Sequence, residues 1–339
     1  MSAIEVLSRG LLTTVQDLGR EGFGPMGVSP SGAADAIALR IGNRLVGNSE
    51  GAAGLEMTLL GGTFQFHAAC SVALTGSDFG AKLDGAAILN WTSFEVNPGQ
   101  TLRLGPTRSG ARCYLCVRDG IEVKRFLGSA STHLLSGLGG NDGRGLRKGD
   151  VLKIGDASEA RKKGTGKSAR STGNASGPNR ARKVTPKALE QLAPRKVLRV
   201  TRGPQSDWFS KAAHKVFYAS GYRVTEEANR MGLRLEGPAL PKGAHGEMIS
   251  EGVSLGAIQI VAGGLPIILF VEQQTTGGYA KIANVISADL SSLGQLRPRD
   301  EIRFKLVSFE AARKLLIEQE RLLASRDLIE ETTLDLRRA

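Results

Sequence analysis

The chain has 339 residues, of which 41% are apolar and 5% aromatic, so it can build the cores of two domains of ordinary size. Its formal net charge of +12 suggests nucleic-acid binding, but residues 156–187 alone carry nine lysines and arginines against two acids. The rest of the chain therefore has only a modest basic excess. Because the basic stretch has no aromatic residue on which a base would stack, the composition argues against a nucleic-acid-binding protein.

The cellular setting is indicated by the cysteines and by the uncharged runs. Three cysteines without a disulfide framework are typical of a reducing compartment. The uncharged apolar run at residues 256–271 is too short for a membrane-spanning helix and is interrupted by Pro266. The N-terminus has no signal-peptide pattern. We therefore expect a cytoplasmic protein.

The first helix is predicted to begin near Gly32 and to end before Gly47, after a short strand and a polar, glycine-rich segment within residues 4–30. Its apolar face recurs at every fourth residue, at Ile37, Ile41 and Leu45. Ser29 and Ser31 precede this helix. They are either ordinary helix caps or part of an anion site built on the free N–H groups of the helix N-terminus.

A turn followed by alternating apolar and polar residues occurs three times, at residues 97–104, 147–154 and 297–304. Such alternation predicts half-buried strands, and the 44 glycines, about twice the usual share of roughly 7%, predict many turns. A second helix echoes the first, with a predicted face at Trp208, Ala212 and Val216 and an end at Gly221. The repeats predict two related β-rich domains.

Cys113 and Cys116 lie in another predicted strand, where residues three apart point to opposite faces. They are therefore interpreted as buried structural cysteines, although their spacing also suggests a redox or metal pair. The four histidines show no metal-ligand spacing, so we expect no metal site. Gly-Thr-Gly-Lys-Ser at 164–168 resembles the end of a phosphate-binding loop, but Arg161 stands where that motif needs glycine.

The second domain contains polar clusters that packing alone does not explain. Asn229 and Arg230 form one cluster, and Glu251 lies in another. After the apolar run 265–271, predicted to be a buried strand, come seven polar or glycine residues: Gln273, Gln274, Thr275, Thr276, Gly277, Gly278 and Tyr279. These seven are either a hairpin turn or a cradle of N–H and hydroxyl groups for an oxyanion. Arg230 is either an anion clamp or a surface salt bridge.

Seven segments in order carry a family resemblance that covers about residues 4–307 outside the basic stretch. They are Gly10-Leu-Leu-Thr-Thr-Val-Gln-Asp-Leu-Gly-Arg-Glu-Gly, Gly27-Val-Ser-Pro-Ser-Gly-Ala-Ala-Asp, Leu74-Thr-Gly-Ser-Asp, Asn229-Arg-Met-Gly, Arg234-Leu-Glu-Gly-Pro, Ser250-Glu-Gly-Val and Gln274-Thr-Thr-Gly-Gly-Tyr-Ala-Lys-Ile. Together they resemble the biotin-dependent carboxyltransferase family, whose members are also called allophanate hydrolase subunit 2, the C subunit of 5-oxoprolinase, or KipA.

The resemblance implies a mainly β (α+β) fold of two cyclophilin-like β-barrel domains, each with one main helix. We expect an N-terminal domain, a disordered basic linker, a C-terminal domain and an amphipathic helical tail, at residues 1–155, 156–187, 188–307 and 308–339. The tail is predicted from its apolar face, formed by Ala312, Leu315, Leu316, Gln319, Leu322 and Leu323.

The resemblance also implies an enzyme subunit of an ATP-dependent amide-cleaving hydrolase, namely 5-oxoprolinase, with ATP as cofactor. The alternatives are a biotin-dependent carboxyltransferase component that uses biotin on a partner protein, and a non-catalytic regulator that binds a KipI-like partner. The expected partners are a homologous subunit similar to KipI or allophanate hydrolase subunit 1, and a third 5-oxoprolinase subunit. The expected substrate is a small amide.

The candidate site residues follow from the polar clusters and the resemblance together. Those assigned to catalysis are Arg230, Glu251, Thr275, Thr276 and Tyr279, and those assigned to substrate or phosphate binding are Asn229, Gln273, Gln274, Gly277, Gly278, Ser29, Ser31 and Asp35. Glu251 needs a raised pKa to act as an acid or base near neutrality. The family commonly has arginine where this chain has Gln273, which predicts weaker binding of an anionic substrate or a different substrate.

Overall fold

The computed structural model describes residues 2–155, 180–241 and 248–333. The chain divides into two compact units. Unit 1 consists of Met1–Gly19, Ala36–Gln191 and Ser325–Ala339, and unit 2 of Arg20–Asp35 and Leu192–Ala324.

The strands of the described residues number twenty-three. The first thirteen, in unit 1, are β1 Ala3–Ser8, β2 Leu12–Gln16, β3 Gly54–Thr58, β4 Thr63–Phe66, β5 Cys70–Gly76, β6 Lys82–Leu83, β7 Ala86–Ala87, β8 Thr92–Val96, β9 Thr101–Arg103, β10 Arg112–Val117, β11 Ile121–Glu122, β12 Val151–Ile154 and β13 Arg180–Val184. Unit 2 contains β14 Val197–Arg202, β15 Tyr222–Val224, β16 Gly232–Glu236, β17 Glu251–Gly252, β18 Ala257–Ile260, β19 Pro266–Leu269, β20 Thr276–Gly277, β21 Lys281–Val285 and β22 Glu301–Leu306. The last strand, β23 Ile329–Thr333, belongs to unit 1.

The described helices are α1 Ala36–Leu45, α2 Pro186–Leu192, α3 Lys211–Ala219, α4 Leu290–Leu293 and α5 Phe309–Ala324. Short 3-10 helices occur at Gly24–Met26, Ser206–Trp208, Ser287–Asp289 and Arg326–Leu328. No helix among these described segments is long and apolar enough to cross a membrane.

Unit 1 is built from two seven-stranded antiparallel sheets. Their strand orders are β11-β12-β1-β4-β9-β6-β7 and β2-β3-β10-β5-β8-β13-β23. One apolar cluster joins residues of both sheets, among them Ile4, Phe64, Leu55 and Leu115, all fully buried. Alternation along the strands directs these side chains into one core.

Unit 2 is organised around a closed seven-stranded barrel in the order β14-β21-β18-β19-β16-β15-β22. The parallel pairing of β14 with β22 closes it, and a closed sheet leaves no unpaired edge. Phe217 of α3 stacks on Phe304 of β22 with their ring centroids 4.5 Å apart, which anchors α3 to the barrel wall. The predicted fold class, mainly β with one main helix in each β-rich part, is confirmed.

The three echoed turns share one hydrogen bond. In each, the side chain of the fourth residue accepts from the backbone N–H of the first: Gln100 from Asn97, Asp150 from Arg147 and Asp300 from Arg297, all at 2.8 Å. Each turn then leads into the predicted strand, β9, β12 or β22. The repeated sequence pattern therefore reflects a repeated turn geometry.

The predicted helices needed two corrections. The helix expected from Gly32 begins at Ala36, because Ser31 and Gly32 have left-handed φ angles of 58° and 96° that end any helix there. In the second helix the buried residues are Ala213 and Phe217, one position later than predicted. The predicted apolar face of the tail is confirmed: it is the least exposed side of α5, with Leu323 buried.

The predicted C-terminal boundary of the linker, at residue 187, lies too late in the chain. Arg180–Val184 is β13, paired with β8 and β23. Ala181 and Val184 are buried there, but the charged residues between them gave the segment a basic composition. The strand was therefore not recognised from the sequence pattern. Residues 156–179, with the Gly-Thr-Gly-Lys-Ser sequence, lie outside the described residues.

Two further boundaries differ from the prediction. Arg20–Asp35 belongs to unit 2, because Gly32 and Asp35 accept hydrogen bonds from Arg230 and Gln295 of that unit. The segment after α5 returns to unit 1 through β23.

Cys113 and Cys116 are buried structural thiols, as predicted. Both lie in β10, both are buried, and no disulfide is formed by the described cysteines. Burial raises the pKa of the Cys116 thiol to about 12, so this residue is not a thiolate nucleophile at neutral pH.

Replacing Asp300 tests the role of the echoed turn. Asp300 accepts from the Arg297 N–H and from the Lys196 ammonium, each at 2.8 Å. We expect Asp300→Ala to lower the free energy of unfolding by about 1–3 kcal/mol in chemical denaturation, since a nearly buried acceptor is lost. Asp300→Asn keeps an acceptor for the N–H and should cost clearly less. Equal losses in the two variants would show that the charge, and not the turn, matters.

Candidate active site

A two-stranded ribbon brings together two of the polar clusters. In β17 and β20, Glu251 lies opposite Gly277, and Gly252 lies opposite Thr276. The Val253 N–H also donates to the Thr275 carbonyl oxygen at 3.1 Å. The glycine-rich stretch therefore forms one strand of the ribbon, and its pairing with β17 holds Glu251 in place.

Two polar residues of the barrel wall lie beside this ribbon. Gln259 of β18 and Lys281 of β21 are direct register partners, so their side chains point to the same side of the sheet. Each is only 2% exposed. An ammonium group and an amide group buried side by side need polar partners, because burial without them is costly.

Glu251 supplies the partner for Lys281. The Lys281 ammonium lies 2.8 Å from Glu251 Oε1, and Gln205 Nε2 donates to the same oxygen at 2.9 Å. Gln205 also accepts from the Lys281 backbone N–H at 3.2 Å, so it connects β21 with the loop after β14. The Lys281 side chain is almost completely buried, whereas that of Glu251 is 45% exposed. The pair thus joins an interior cation to the protein surface.

The pKa of the Glu251 carboxyl lies below its ordinary value, first because Lys281 donates a hydrogen bond and second because Gln205 does. The raised pKa that an acid or base role requires is therefore not found. At neutral pH Glu251 is an anion, and its chemical role is to hold the Lys281 side chain in place.

Gln259 presents a second donor. Its Nε2 is buried without a hydrogen-bond partner among the described residues, while its Oε1 accepts from Gln274 Nε2 at 3.4 Å. A Cβ on Gly277 would come within 2.5 Å of this Nε2, so only glycine lets the ribbon approach so closely. Lys281 Nζ and Gln259 Nε2 together form a donor pair suited to an anionic oxygen.

Arg230, expected to clamp an anion, lies in the interior instead. It forms an ion pair with Glu272, and both side chains are nearly inaccessible, at 6% and 3% exposure. Its Nη2 also donates to the Gly32 carbonyl oxygen at 2.7 Å. Arg230 therefore fastens the Arg20–Asp35 segment to the barrel, and neither of the two roles weighed from the sequence, clamp or surface salt bridge, describes this geometry.

Asn229 and Gln273 have local partners. Asn229 Oδ1 accepts from the Met231 N–H at 2.8 Å, which is a turn interaction. Gln273 is buried, and its amide lies between the Phe270 carbonyl oxygen and the Leu255 N–H. An arginine at 273 would have to fit the same closed space.

The three residues predicted near the first helix lie in the Arg20–Asp35 segment of unit 2. Ser29 is buried and its hydroxyl has no partner among the described residues. Ser31 is buried with a left-handed φ, and Asp35 accepts from Gln295 Nε2 at 2.7 Å. Because the helix starts only at Ala36, Ser29 and Ser31 are not at its N-terminus.

The remaining predicted residues are accessible. Gln274, Thr276, Gly278 and Tyr279 are exposed, and Tyr279 has 48% of its surface accessible. In sequence they lie between Gln259 and Lys281, and they extend the ribbon at the surface. No group of metal-ligating side chains is found within the described ranges.

Sequence reasoning missed Lys281, Gln205 and Gln259. Gln259 was the visible signal, because it is the only side-chain hydrogen-bonding residue in the apolar run 256–271. Lys281 follows the glycine-rich stretch and Gln205 follows Arg202-Gly-Pro, both of which stand out as polar motifs. Their convergence depends on barrel register, which local patterns do not contain.

Comparisons with known proteins match this chain to one family. Residues 26–306 match the family model described as "Carboxyltransferase domain, subdomain A and B". The chain is 37% identical over 318 residues to the C subunit of 5-oxoprolinase from Escherichia coli, covering 94% of this chain and 96% of that protein. It is 35% identical to the urea amidolyase of Saccharomyces cerevisiae, covering 96% of this chain but 18% of that protein.

The solved structures agree. The crystal structure of the Kluyveromyces lactis urea carboxylase superimposes with a TM-score of 0.85 at 34% identity, covering 97% of this chain and 30% of that chain. The whole of the described fold therefore corresponds to one part of a much longer protein in that case.

Arg230→Ala tests the interior ion pair. The substitution leaves Glu272 buried without its cation, so we expect a loss of roughly 3–5 kcal/mol in unfolding free energy. The matched control is Arg299→Ala, whose pair with Glu226 is exposed on both sides, and we expect little change there. Similar losses in both variants would refute the structural role.

The pKa of Glu251 tests the Lys281 pair. Because the folded pKa is lowered, the Glu251 carboxylate stays charged to a lower pH than an ordinary glutamate does, and the pair is lost only as pH falls through that lower folded value. In a carbon-13 NMR titration of the glutamate carboxyls, we expect Lys281→Met to raise this pKa, and Gln205→Ala to raise it less. An unchanged pKa in Lys281→Met would show that the pair does not form in solution.

Proposed function

Because the chain belongs to the family described as carboxyltransferase domain, subdomain A and B, we propose that it is a subunit of an ATP-dependent 5-oxoprolinase, which opens 5-oxoproline to glutamate. The observation that carries this proposal is the end-to-end likeness to the C subunit of 5-oxoprolinase from Escherichia coli, which covers 94% of this chain and 96% of that protein. A second relative of that name, from Haemophilus influenzae, is 33% identical over 92% of this chain and 94% of its own length.

The donor pair gives the proposed site its chemistry. 5-Oxoproline carries a carboxylate and a lactam oxygen that becomes more negative as the ring opens. Lys281 Nζ and Gln259 Nε2 are preorganised, nearly inaccessible donors that suit either oxygen. Such donors contribute most where water is excluded, since the surrounding dielectric is low. Glu251, ionised at neutral pH, orients the Lys281 side chain through their 2.8 Å contact.

ATP, when bound, supplies the phosphoryl group that activates the lactam oxygen. The unpartnered Nε2 of Gln259 and the ammonium of Lys281 fit an anionic phosphoryl oxygen as well as a carboxylate. The roles proposed for this chain are binding the negative oxygen and excluding water from it. Gln274, Thr275, Thr276 and Tyr279 form the accessible approach to the donor pair.

The assembly proposed is a cytoplasmic hetero-oligomer. The word "subunit" in the name of the Escherichia coli relative supports a multi-subunit enzyme. The partners we propose are a homologous subunit of the KipI type and a third 5-oxoprolinase subunit.

The second candidate is a carboxyltransferase component that takes a carboxyl group from biotin on a partner protein. The family description and the TM-score of 0.85 to the urea carboxylase structure favour it. The same donor pair also suits a carboxyl group in transfer. The donor pair therefore does not distinguish the two reactions, and an activity assay must do so.

The test is phosphate release by the chain co-expressed with its two partner subunits. We expect release from ATP that depends on 5-oxoproline, with glutamate formed in equal amount. Urea-dependent carboxyl transfer from carboxybiotin, without 5-oxoproline-dependent release, would replace the first candidate with the second.

Lys281→Met tests the donor pair in that assay. It removes the ammonium at nearly constant volume, and the half-exposed Glu251 remains hydrated, so the variant should fold. We expect turnover to fall about 100-fold or more, as when one oxyanion donor is removed. Lys281→Arg keeps a cation and should retain part of the activity. The control is Lys305→Met on β22, an exposed lysine outside the donor pair, and we expect parental activity there. Parental turnover in Lys281→Met would remove Lys281 from the site.

A further inference from the structure

A separate groove lies along α3 of unit 2. It has a volume of about 730 Å³, within the roughly 300–1,000 Å³ typical of small-molecule sites. Its floor is aromatic: His214 stacks on Tyr218 with ring planes 10° apart, and Phe209 meets His214 edge to face. Such ring surfaces bind a flat unsaturated ring well.

The rim of the groove is basic. Arg202, Lys211 and Lys215 lie there with one acid, Asp207. Among the described residues, no carboxylate forms an ion pair with any of these three cations, in contrast to Arg230 and Arg199, which are paired. Unpaired cations around an aromatic floor favour a ligand that is both flat and strongly anionic.

Two hydroxyl groups of the groove have no partner among the described residues. Ser206 is 4% exposed and its Oγ is unpartnered, and the Tyr218 hydroxyl is inaccessible and unpartnered as well. Buried polar atoms are nearly always hydrogen-bonded, so two unpartnered hydroxyl groups lining one groove are suited to bind a polar ligand. The His214 ring accounts for neither, because its Nε2 contacts the Ser206 carbonyl oxygen at 2.8 Å.

We propose that this groove binds a nucleoside polyphosphate, with the base against the His214 and Tyr218 rings and the phosphates at Lys211, Lys215 and Arg202. The nucleotide class rests on the ATP dependence proposed above. Ser206 and Tyr218 supply hydroxyls for the base or the ribose. A flat ring alone would leave the cations unused, and a bare polyphosphate would leave the aromatic floor and the hydroxyls unused.

The groove and the donor pair share one loop. Gln205, which holds Glu251 and the Lys281 backbone, is followed directly by Ser206 of the groove. Consecutive Cα atoms are only about 3.8 Å apart, so a ligand that moves Ser206 also moves Gln205. Binding in the groove is therefore expected to change the Lys281–Glu251 geometry.

The experiment is calorimetric titration of the full chain with ATP, adenosine and inorganic tripolyphosphate. We expect saturable ATP binding, with adenosine and tripolyphosphate each much weaker. The variant Lys211→Ala/Lys215→Ala should lower the ATP affinity at least about tenfold, since charged hydrogen bonds are lost. Tyr218→Phe, which removes only the hydroxyl, should lower it by about two- to tenfold.

The matched control is Lys314→Ala on α5, an exposed lysine outside the groove, which should leave the affinity unchanged. The exposed lysines and the Tyr218 hydroxyl contribute little to the core, so all variants should unfold at the parental temperature. Absence of saturable ATP binding, tripolyphosphate binding as tight as ATP, or unchanged affinity in the lysine variant would each overturn the proposal.

The assembled enzyme separates this proposal from the proposed function. If Lys211→Ala/Lys215→Ala raises the KM for ATP about tenfold and leaves the KM for 5-oxoproline unchanged, the groove is the nucleotide site. If the assembly is active and the KM for ATP is unchanged, the groove proposal fails and the function stands. If the assembly shows no 5-oxoproline-dependent activity but the chain binds ATP through the groove, the function fails and the groove stands.

Discussion

The buried ammonium of Lys281 is the constraint on which the site depends. A charged group at 2% exposure is tolerated only with a close counter-charge, because the interior does not solvate it. That requirement fixes Glu251, and through Glu251 it fixes the pairing of β17 with β20. The ion pair between Lys281 and Glu251 thus helps to hold the glycine-rich ribbon over the barrel wall.

The second interior cation of unit 2 shows the contrast. Arg230 and Glu272 are both buried, and Nη2 of Arg230 donates to the Gly32 carbonyl oxygen. Lys281 has a partner that reaches solvent and a neighbouring amide nitrogen that is unpartnered among the described residues. Arg230 is therefore part of the scaffold, while Lys281 can exchange its contacts with a ligand.

Much of the fold was predictable because it follows from local patterns. The three turn-and-strand repeats, the buried face of α1 and the apolar side of α5 all depend on periodicity within a few residues. Errors arose where non-local contacts decide. The Arg20–Asp35 segment joins unit 2 through Arg230 and Gln295, and β13 is a strand because distant partners pair with it.

The sequence predicted which segments form the site but not the contacts between their side chains. The glycine-rich stretch and Glu251 are brought together as expected. Lys281, the cation that binds Glu251, could be identified only from the register of β18 with β21. Arg230 was singled out because arginine between an amide and a glycine is typical of anion sites. A sequence cannot show that Glu272, 42 residues away, already neutralises it.

The polar motif Arg202-Gly-Pro is explained by the need to hold partners beside the buried Lys281. A Cβ on Gly203 would lie 2.3 Å from the Lys281 carbonyl oxygen, so glycine alone allows the loop after β14 to reach β21. Gly277 allows an equally close approach on the Gln259 side. Two glycines thus let two separate segments approach one barrel wall. One segment carries Gln205, and the other pairs with the strand that carries Glu251, so both residues reach the cluster around Lys281. Because both approaches leave no room for a side chain, the loops cannot shift far without breaking the cluster. A ligand that displaces Lys281 therefore acts on both segments, through the contacts of Gln205 and Glu251.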